Sequence, residues 1–515
     1  MLSLALLVAG TLAAGDSVPL YTNLGTHHYA ITTRIPAAQR YFDQGLRLYY
    51  AFNHAEAIRA FREAQRLDPA CAMCFWGEAL ALGPNINAPM DPSAVAGAVS
   101  AVTSAARLQA RATPTERALI GALKARYSAD STVPRPALDS AYARAMADAA
   151  RRFPADAEVA TLHAEALMDL RPWSYWVRGE ADGVTTYTLA DGMAPALERL
   201  TRLVEQAPQH PGACHFYIHL VEAAYPERAV ACAERLAALM PGAGHLVHMP
   251  GHIYIRVGRY VDAIHANEHA VHADESYITD QRPAAGIYTL GYYPHNYDFL
   301  AFAALMAGRE EQALAAADKL TELAVPHYLE DGMAFTQSHG TRALQMRVRF
   351  GRWAEVLATP APDAAAVHAR AIWDYATGRA LVATGRATEA EPHLAALRQA
   401  AADPRVQGLR LEFNESDDLL KLASEVLAGV VASGEGQHDD AVAHLKEAVR
   451  LEDALTYGEP PEWSIPVRQD LGEVLMKAGR YGEAVRAYEG DLRIFPGNAW
   501  SSRAVEEARR RAGGR

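Results

Sequence analysis

The phrase GRYGEA, residues 479–484, recurs with small changes along the chain and decides the fold. Its copies are GRYVDA at 258–263, GREEQA at 308–313, GRWAEV at 351–356 and GRATEA at 385–390, with a weaker copy, GQHDDA, at 436–441. Each copy lies between two amphipathic segments of helical length. Glycine readily ends a helix, and the small apolar residue five positions later starts the buried stripe of the next one. The phrase therefore predicts a series of helical hairpins.

The spacing of these hairpins identifies the type of repeat. Gly351 and Gly385 are 34 residues apart, which is the tetratricopeptide period, whereas the other spacings are 50, 43, 51 and 43 residues. The longer spacings indicate inserted loops. We therefore expect an all-α fold, an α-solenoid of tetratricopeptide-like hairpins in which the first helix of each hairpin lines a concave face. Strand signals are nearly absent, and residues 83–93, 171–190 and 276–294 are expected to be irregular.

The chain is predicted to divide into four segments. Residues 1–15 form a signal peptide, 16–190 an N-terminal helical region with long loops, 191–355 a histidine-rich region, and 356–515 the C-terminal repeats. Residues 1–15 carry no charge, are mostly apolar and end in small residues, as a secretory signal does, although a basic start is missing. The expected location is periplasmic or extracellular. No apolar segment of the mature chain is long enough to span a membrane.

Composition excludes several classes of protein. The 515 residues are 50% hydrophobic and 21% charged, which is typical of a folded globular chain. The net charge of −12 argues against a nucleic-acid partner. Four cysteines are too few for a disulfide scaffold. Glycine-rich phosphate loops, HExxH zinc motifs and GxSxG nucleophile motifs are absent from the sequence.

Histidines are concentrated in one part of the chain. Ten of the 20 lie between His210 and His295, about a sixth of the sequence. His215, His219 and Glu222 stand at i, i+4 and i+7, so they share one face of a helix. His245, His248 and His252 share a face of the next such helix in the same way.

Repeat register predicts that these faces meet. An offset of 34 residues places His248 beside His215 and His252 beside His219. With the same reasoning His295 falls opposite His245. The set of candidate metal ligands is therefore His215, His219, His245, His248, His252 and His295. Imidazole-rich ligation suits a transition metal such as Zn, Cu or Fe.

Other residues near this set have more than one open interpretation. Glu222 is the candidate catalytic base, but it could also ligate the metal, orient a ligand, or pair with its register mate Arg256. We expect the second-helix histidines His265, His269 and His272 to occupy an outer face; the alternative is a second metal site. Trp173 and Trp176 either form an aromatic wall or anchor a loop on the helices.

The cysteines leave alternatives open as well. Cys71 and Cys74 are followed by Phe75, so the histidine that haem attachment requires is missing and no haem is expected. The pair could be buried helix residues, which we favour, a local disulfide, or a soft-metal site. A disulfide between Cys214 and Cys232 is plausible because they lie at similar distances from one hairpin turn.

Several phrases resemble a group of bacterial tetratricopeptide-repeat proteins without an established activity. They are CAMCFWGEALALGPNINAPM (71–90), AEALMDLRPWSYW (164–176), HPGACHFYIHLVEA (210–223), MPGAGHLVHMPGHIYIRVGRY (240–260) and YYPHNYDFL (292–300). The resemblance covers most of the chain up to about residue 355 and implies the repeat fold and a shared set of the six histidines. Asp298 departs from the group, where a histidine is expected.

Two functions follow from the sequence. The first is an exported tetratricopeptide-repeat protein with a histidine-bound transition metal on its concave face, which could be a metal-dependent hydrolytic or oxidative enzyme. The second is a scaffold whose groove binds a peptide or protein partner without metal. Imidazoles that converge on one point favour the first function, and imidazoles spread along a groove favour the second.

Overall fold

The computed structural model describes residues 18–181 and 184–513. The predicted signal peptide lies outside these residues. The chain forms two compact units. The N-terminal unit runs to Ile253 and also includes His269–Thr289, and the C-terminal unit comprises Tyr254–Glu268 and the chain from Leu290 onwards. The predicted four-segment division stays a prediction.

The N-terminal unit is built from short and medium helices. They are α1 (Pro36–Tyr50), α2 (His54–Leu67), α3 (Ala72–Ala81), α4 (Val95–Leu108), α5 (Pro114–Lys124), α6 (Arg135–Arg152), α7 (Ala157–Met168), α8 (Ala194–Gln206), α9 (Pro211–Val221), α10 (Val230–Leu239) and α11 (Gly244–His248). Two further helices have residues in both units, α12 (Pro250–Arg256) and α13 (Tyr260–Gln281).

The C-terminal unit is also built from helices. They are α14 (Tyr293–Met306), α15 (Glu310–Ala324), α16 (Phe335–Gly340), α17 (Arg342–Arg349), α18 (Trp353–Ala358), α19 (Val367–Ala383), α20 (Ala387–Ala401), α21 (Ser416–Gly434), α22 (His438–Ala454), α23 (Val467–Lys477), α24 (Tyr481–Ile494) and α25 (Ala499–Gly513). Helices α19 and α20 pack as one hairpin, and α21 and α22 as another.

The recurrent glycines end helices as predicted. All six of them in the C-terminal unit have a positive φ of 69° to 81°. The residue after the glycine donates its N–H to a carbonyl five positions back, for example Arg386 to Leu381 and Arg480 to Leu475. This arrangement satisfies carbonyls that the helix end leaves open. The all-α class of tetratricopeptide-like helical hairpins is confirmed, since 69% of the structure is helical.

Two of the segments predicted to be irregular contain regular structure. Trp176–Ala181 (β1) and Val184–Leu189 (β2) form an antiparallel hairpin with Trp176 opposite Leu189. The sequence signal that we missed is Asp182-Gly183 between two runs rich in Val, Thr and aromatic residues. In the other segment, α13 continues to Gln281 rather than ending near Ser276. None of the described helices combines the length and the apolar character that membrane crossing needs.

Candidate metal centre

Three helices of the N-terminal unit carry most of the predicted ligands. Helix α9 begins at Pro211, which lacks an N–H that the first turn would leave unused. His210 caps this helix, because its Nδ1 accepts a hydrogen bond from the Ala213 N–H at 3.1 Å. Helical spacing then places His215 and His219 on one face. The remaining predicted ligands of this unit lie on α11 and α12: His245, His248 and His252.

We call His215, His219, Glu222, His245, His248 and His252 the histidine cluster. Every member is at most 2% exposed to solvent. Buried polar groups normally have hydrogen-bond partners, so the partner of each ring nitrogen is informative. The predicted meeting of the two helix faces therefore takes place in a closed interior and not on an open groove surface.

The position of His215 is fixed by the backbone of α1. Its Nδ1 lies 2.7 Å from the carbonyl oxygen of Tyr50. Because a carbonyl only accepts hydrogen bonds, Nδ1 carries the proton and Nε2 offers a lone pair. Within the described part of the chain, this buried Nε2 has no hydrogen-bond partner. This tautomer, with Nδ1–H bound to a carbonyl and Nε2 open, is the one that metal-ligating histidines adopt.

Glu222 orients two further imidazoles. Its Oε1 lies 3.2 Å from Nδ1 of His219 and its Oε2 lies 2.6 Å from Nδ1 of His252. A carboxylate only accepts, so His219 donates from Nδ1 and offers a lone pair at Nε2, while His252 is a close polar contact of the second oxygen. The buried Nε2 of His219 has no hydrogen-bond partner among the described residues.

The charge of Glu222 agrees with this role. Burial alone raises the pKa of its carboxyl, but the imidazoles of His252 and His219 outweigh burial and lower the pKa to about 2. Glu222 is therefore ionised at neutral pH. Each of its oxygens lies beside an imidazole Nδ1, which is the arrangement of a carboxylate that positions metal ligands.

The ligand atoms fall into two overlapping triads within this unit. One triad is His215, His219 and His245, and the other is His219, Glu222 and His252; in each, three ligand atoms lie within 4.8 Å of one another. In the second triad the Nδ1 atoms of the imidazoles face the carboxylate. The first triad, with the open Nε2 atoms of His215 and His219, is therefore the better metal position.

His248 joins the cluster through His252. The two Nε2 atoms are 2.9 Å apart. One of the two imidazoles therefore donates this hydrogen bond and the other accepts it. The five ring centroids form a closed circuit, with 4.9 Å from His215 to His219, 5.2 Å on to His252, 4.8 Å to His248, 5.7 Å to His245 and 5.0 Å back to His215. The convergence of His215, His219, His248 and His252 on one metal ion stays a prediction.

Burial keeps the imidazoles neutral. It lowers the pKa of His215 and of His245 well below the ordinary value, and neighbouring imidazoles lower both further. Burial also lowers the pKa of His219, against the opposing effect of Glu222. Neutral imidazole is the form that binds a metal, so the cluster holds its ligands in the required protonation state at neutral pH.

Two strained aromatic residues enclose the cluster. Phe52 and Trp173 have φ of 55° and 63°, which residues other than glycine rarely adopt. The Phe52 ring lies 4.5 Å from the ring of His215, and the Trp173 ring lies 5.1 Å from that of His219 in an edge-on arrangement. Trp176 anchors the same loop by donating from Nε1 to the Leu220 carbonyl at 2.6 Å. Strained backbone of this kind is concentrated at functional sites.

The first turn of helix α11 packs against the buried carboxylate of Asp274. A Cβ on Gly244, its first residue, would lie 1.9 Å from Oδ1 of Asp274. Asp274 is itself held by the hydroxyl of Tyr288, which donates to Oδ1 at 2.6 Å. The close approach at Gly244 therefore sets the position of the helix that carries His245 and His248.

Replacing Gly244 with alanine tests this seating. The added methyl group must displace Asp274 or α11, and overpacking of this kind costs about 1–3 kcal/mol. We expect the free energy of unfolding, measured by urea denaturation, to fall by about that amount. Gly121→Ala is a matched control, because a Cβ there meets no atom within 4 Å. Equal stability of the two variants would contradict the proposed seating.

Three further residues that the sequence analysis named lie in the C-terminal unit. His295 belongs to the C-terminal unit, where its ring lies 5.0 Å from that of Phe299. Asp298 accepts two hydrogen bonds from Arg342, at 2.6 and 2.7 Å, so its carboxylate is used in an ion pair. Arg256, the predicted mate of Glu222, lies 3.6 Å from Glu459.

The outer-face interpretation of the second-helix histidines agrees with their exposure to solvent. The side chains of α13 that were considered for a second metal site are all exposed: His265, His269 and His272. They alternate with the buried Ala263 and Ala270. The structure therefore shows an exposed helix face at these residues rather than a second metal site.

The cysteines differ from the interpretation that we favoured. Cys71 and Cys74 form a disulfide, since Cys71 caps α3 and Cys74 lies in its first turn. Cys214 and Cys232 are buried and unbridged. Arg235 lies 3.4 Å from each of their sulfurs and provides polar contacts for both.

A further polar cluster in the N-terminal unit was not predicted. Nε2 of His27 and of His210 lie 3.2 and 3.4 Å from Oε2 of Glu158, and the Tyr50 hydroxyl donates to Oε1. However, Nδ1 of His210 accepts from Ala213, so its Nε2 carries the proton and is not open for a metal. No helical spacing links these residues, and so the sequence carried no signal for them.

Comparisons with known proteins add little to this picture. No family model and no curated protein matches the chain. Among solved structures, the chain is similar to the tetratricopeptide-repeat domain of P58(IPK), at 12% identity over 93% of this chain and 98% of that chain, with a TM-score of 0.23. It is also similar to the APC/C hetero-tetramer Cut9-Hcn1, at 11% identity over 92% and 90%, with a TM-score of 0.28. The yeast Tom70 structure gives 11% identity over 93% and 90%, with a TM-score of 0.26.

The fold assignment therefore rests on the helical hairpins of the chain itself. The residues of the histidine cluster, and not the fold, have to carry any more specific function.

Proposed function

We propose that this protein is an exported helical-repeat scaffold that binds a transition metal in the histidine cluster. The observation that carries the proposal is the shared tautomer of His215 and His219, whose Nδ1–H groups are bound and whose buried Nε2 lone pairs have no hydrogen-bond partner among the described residues. Lone pairs buried in this way are costly unless something binds them. A metal ion accepts both.

The proposed ligands are His215, His219 and His245, with His252 and His248 next to them. Imidazole nitrogens lie about 2.0–2.1 Å from Zn, which places tetrahedral ligands about 3.3 Å from one another. The three ligand atoms of the triad already lie within 4.8 Å, so small imidazole rotations close it on one ion. Zn, Cu and Fe all suit this donor set. His295 remains a predicted ligand.

The closed surroundings favour retention of the metal over turnover of a substrate. Catalytic metal sites keep a position open to substrate or water, whereas structural sites are enclosed. The cluster members are at most 2% exposed. We therefore propose that Glu222 positions His219 and His252 and does not act as a catalytic base.

Export is part of the same proposal. The Cys71–Cys74 disulfide supports it, because such bonds persist in oxidising compartments and are rare in the cytosol. Cleavage near residue 15 would be tested by the N-terminal mass of the protein recovered from the bacterial periplasm. A full-length N-terminus on cytoplasmic protein would contradict export.

The metal itself is tested by elemental analysis of untagged protein purified without chelators. We expect about one equivalent or more of a transition metal in the parent, and its loss in His215→Ala/His219→Ala. A volume-conserving pair, His215→Gln/His219→Gln, covers the case in which the alanine pair does not fold. His265→Ala/His269→Ala removes two exposed imidazoles and should retain the metal.

The alternative function is a scaffold that binds a peptide or protein partner without metal. It rests on the helical-repeat fold alone. If the parent takes up no metal, even after incubation with Zn, Cu and Fe salts, the metal proposal fails and this alternative stands.

Replacing Glu222 with glutamine tests its positioning role. Glutamine replaces one carboxylate oxygen with an NH2 donor, so either His219 or His252 loses the acceptor that faces its Nδ1. Loss of such a carboxylate lowers metal affinity by about 10- to 100-fold. Competition with a chelator of known affinity measures this change, and the exposed Glu227→Gln is the control. Unchanged affinity in Glu222→Gln would contradict the positioning role.

A further inference from the structure

The C-terminal unit contains a cavity that is independent of the histidine cluster. It has a volume of about 350 Å³ and is bounded by side chains of α17, α23, α24 and α25. This volume lies within the range of sites for small molecules. The lining is mixed: Arg349, Gln469, Glu473, Tyr488, Trp500 and Arg503.

One wall presents a fixed hydrogen-bond acceptor. Gln469 is 1% exposed, and its Nε2 donates to Oδ2 of Asp491 at 2.9 Å. This bond sets the orientation of the amide. The opposite atom, Oε1, is buried and has no hydrogen-bond partner in the described ranges. Asp491 is held in turn by Asn498 and Ser501, so the wall is rigid.

A second wall presents donors. Arg349 donates from Nη1 to Glu473 at 3.1 Å, but its buried Nε has no hydrogen-bond partner among residues 18–181 and 184–513. Its guanidinium lies 3.9 Å above the Trp500 ring, and that of Arg503 lies 5.8 Å from it. The Trp500 ring is fixed, since its Nε1 donates to the Leu305 carbonyl at 2.7 Å.

We propose that this cavity binds a small zwitterionic carboxylate of amino-acid size. Guanidinium groups recognise carboxylates through directed hydrogen bonds, which assigns the carboxylate to Arg349 and Arg503. Gln469 Oε1 and the carboxylate of Glu473 then accept N–H groups of the ammonium end. The rings of Tyr488 and Trp500 form apolar walls for the remaining atoms.

The experiment is calorimetric titration of the full-length protein with each of the 20 standard L-amino acids. Ligand concentrations reach about 10 mM, which detects a Kd near 1 mM. We expect saturable binding of at least one amino acid. Replacing its carboxylate with an amide should weaken binding by about tenfold or more, because a charge-assisted hydrogen bond is lost.

Variants assign the binding to this cavity. Arg503→Gln removes an exposed guanidinium and should weaken binding by about tenfold, and Gln469→Leu removes the fixed acceptor and should do the same. Arg510→Gln on the same helix is the matched control, since Arg510 is exposed and pairs with Glu507. Absence of binding by all 20 amino acids, equal binding of the amide, or equal affinities of Arg503→Gln and Arg510→Gln would overturn the proposal.

Discussion

Arg342→Leu is expected to lower the free energy of unfolding by about 3–5 kcal/mol, because it leaves the buried carboxylate of Asp298 without its partner. Both residues are 1% exposed. Arg342 donates from Nε and Nη2 to the two oxygens of Asp298 at 2.6 and 2.7 Å, and from Nη1 to the Ser464 hydroxyl at 2.8 Å. Urea denaturation at neutral pH measures the change.

The exposed pair Arg386–Glu389 is the control for this prediction. It has the same two-pronged geometry, with distances of 2.7 and 2.6 Å, but about half of each side chain is exposed. Exposed pairs contribute about 0–1 kcal/mol, so Arg386→Leu should have a small effect. If Arg342→Leu costs no more than Arg386→Leu, the structural role of the buried pair is wrong.

Acidification of the metal-free protein from pH 7 to pH 5 is expected to remove about 4–6 kcal/mol of stability through three buried histidines. The buried carboxyls of Glu165, Asp169 and Glu452, whose pKa burial raises to about 8, 7 and 8, add stability over the same range. Burial lowers the pKa of three histidines outside the cluster from 6.5: His54 to about 4, His163 to about 4 and His368 to about 3. Their stabilising contribution is fully present above pH 6.5. As the pH falls below 6.5, the unfolded chain takes up protons that the folded chain refuses, so stability declines.

Each of these imidazoles contributes a slope of about 1.4 kcal/mol per pH unit over this range. Urea denaturation at several pH values between 7 and 5 gives the total slope. His163→Gln should reduce this slope by the contribution of one imidazole, about 1.4 kcal/mol per pH unit. Replacement of the exposed His269 should leave the slope unchanged. An identical slope in His163→Gln and in the parent would contradict the assignment.

The fold could be predicted well because its main signal is local and repeated. Glycine at 258, 308, 351, 385, 436 and 479 adopts the predicted left-handed conformation, and Ala263, Ala313 and Ala390 are fully buried as the phrase requires. The β-hairpin was missed because its signal, Asp182-Gly183 between two short strand-like runs, does not recur with the helical phrase, and the same dipeptide also occurs at 191–192 and 331–332, outside any strand. The Cys71–Cys74 disulfide was not favoured from the sequence, because the spacing of the two cysteines does not reveal that Cys71 caps helix α3.

The candidate site could be predicted in part. Spacing within one helix predicted that His215, His219 and Glu222 share a face, and His219 lies next to each of the other two. Register between repeats brought His252 to His219, but it placed His248 beside His215, where the structure has His245. A short helix of five residues, Gly244–His248, precedes α12, and the ideal repeat used for the alignment contains no such break.

The groups that enclose the site could not be found from spacing. The Tyr50 carbonyl that fixes His215 is 165 residues away in sequence. Phe52 follows it in the turn between α1 and α2, and Trp173 lies before the β-hairpin. These contacts depend on how separate hairpins pack, which neither helical periodicity nor repeat spacing describes.

X-ray absorption at the edge of the bound metal shows whether the imidazoles of the histidine cluster hold a metal ion. We expect three or more imidazole nitrogens at about 2.0–2.1 Å, with the imidazole scattering pattern lost in His215→Gln/His219→Gln and kept in His265→Ala/His269→Ala. A first shell without imidazole nitrogens, or a spectrum that His215→Gln/His219→Gln leaves unchanged, would rule out metal binding by these imidazoles.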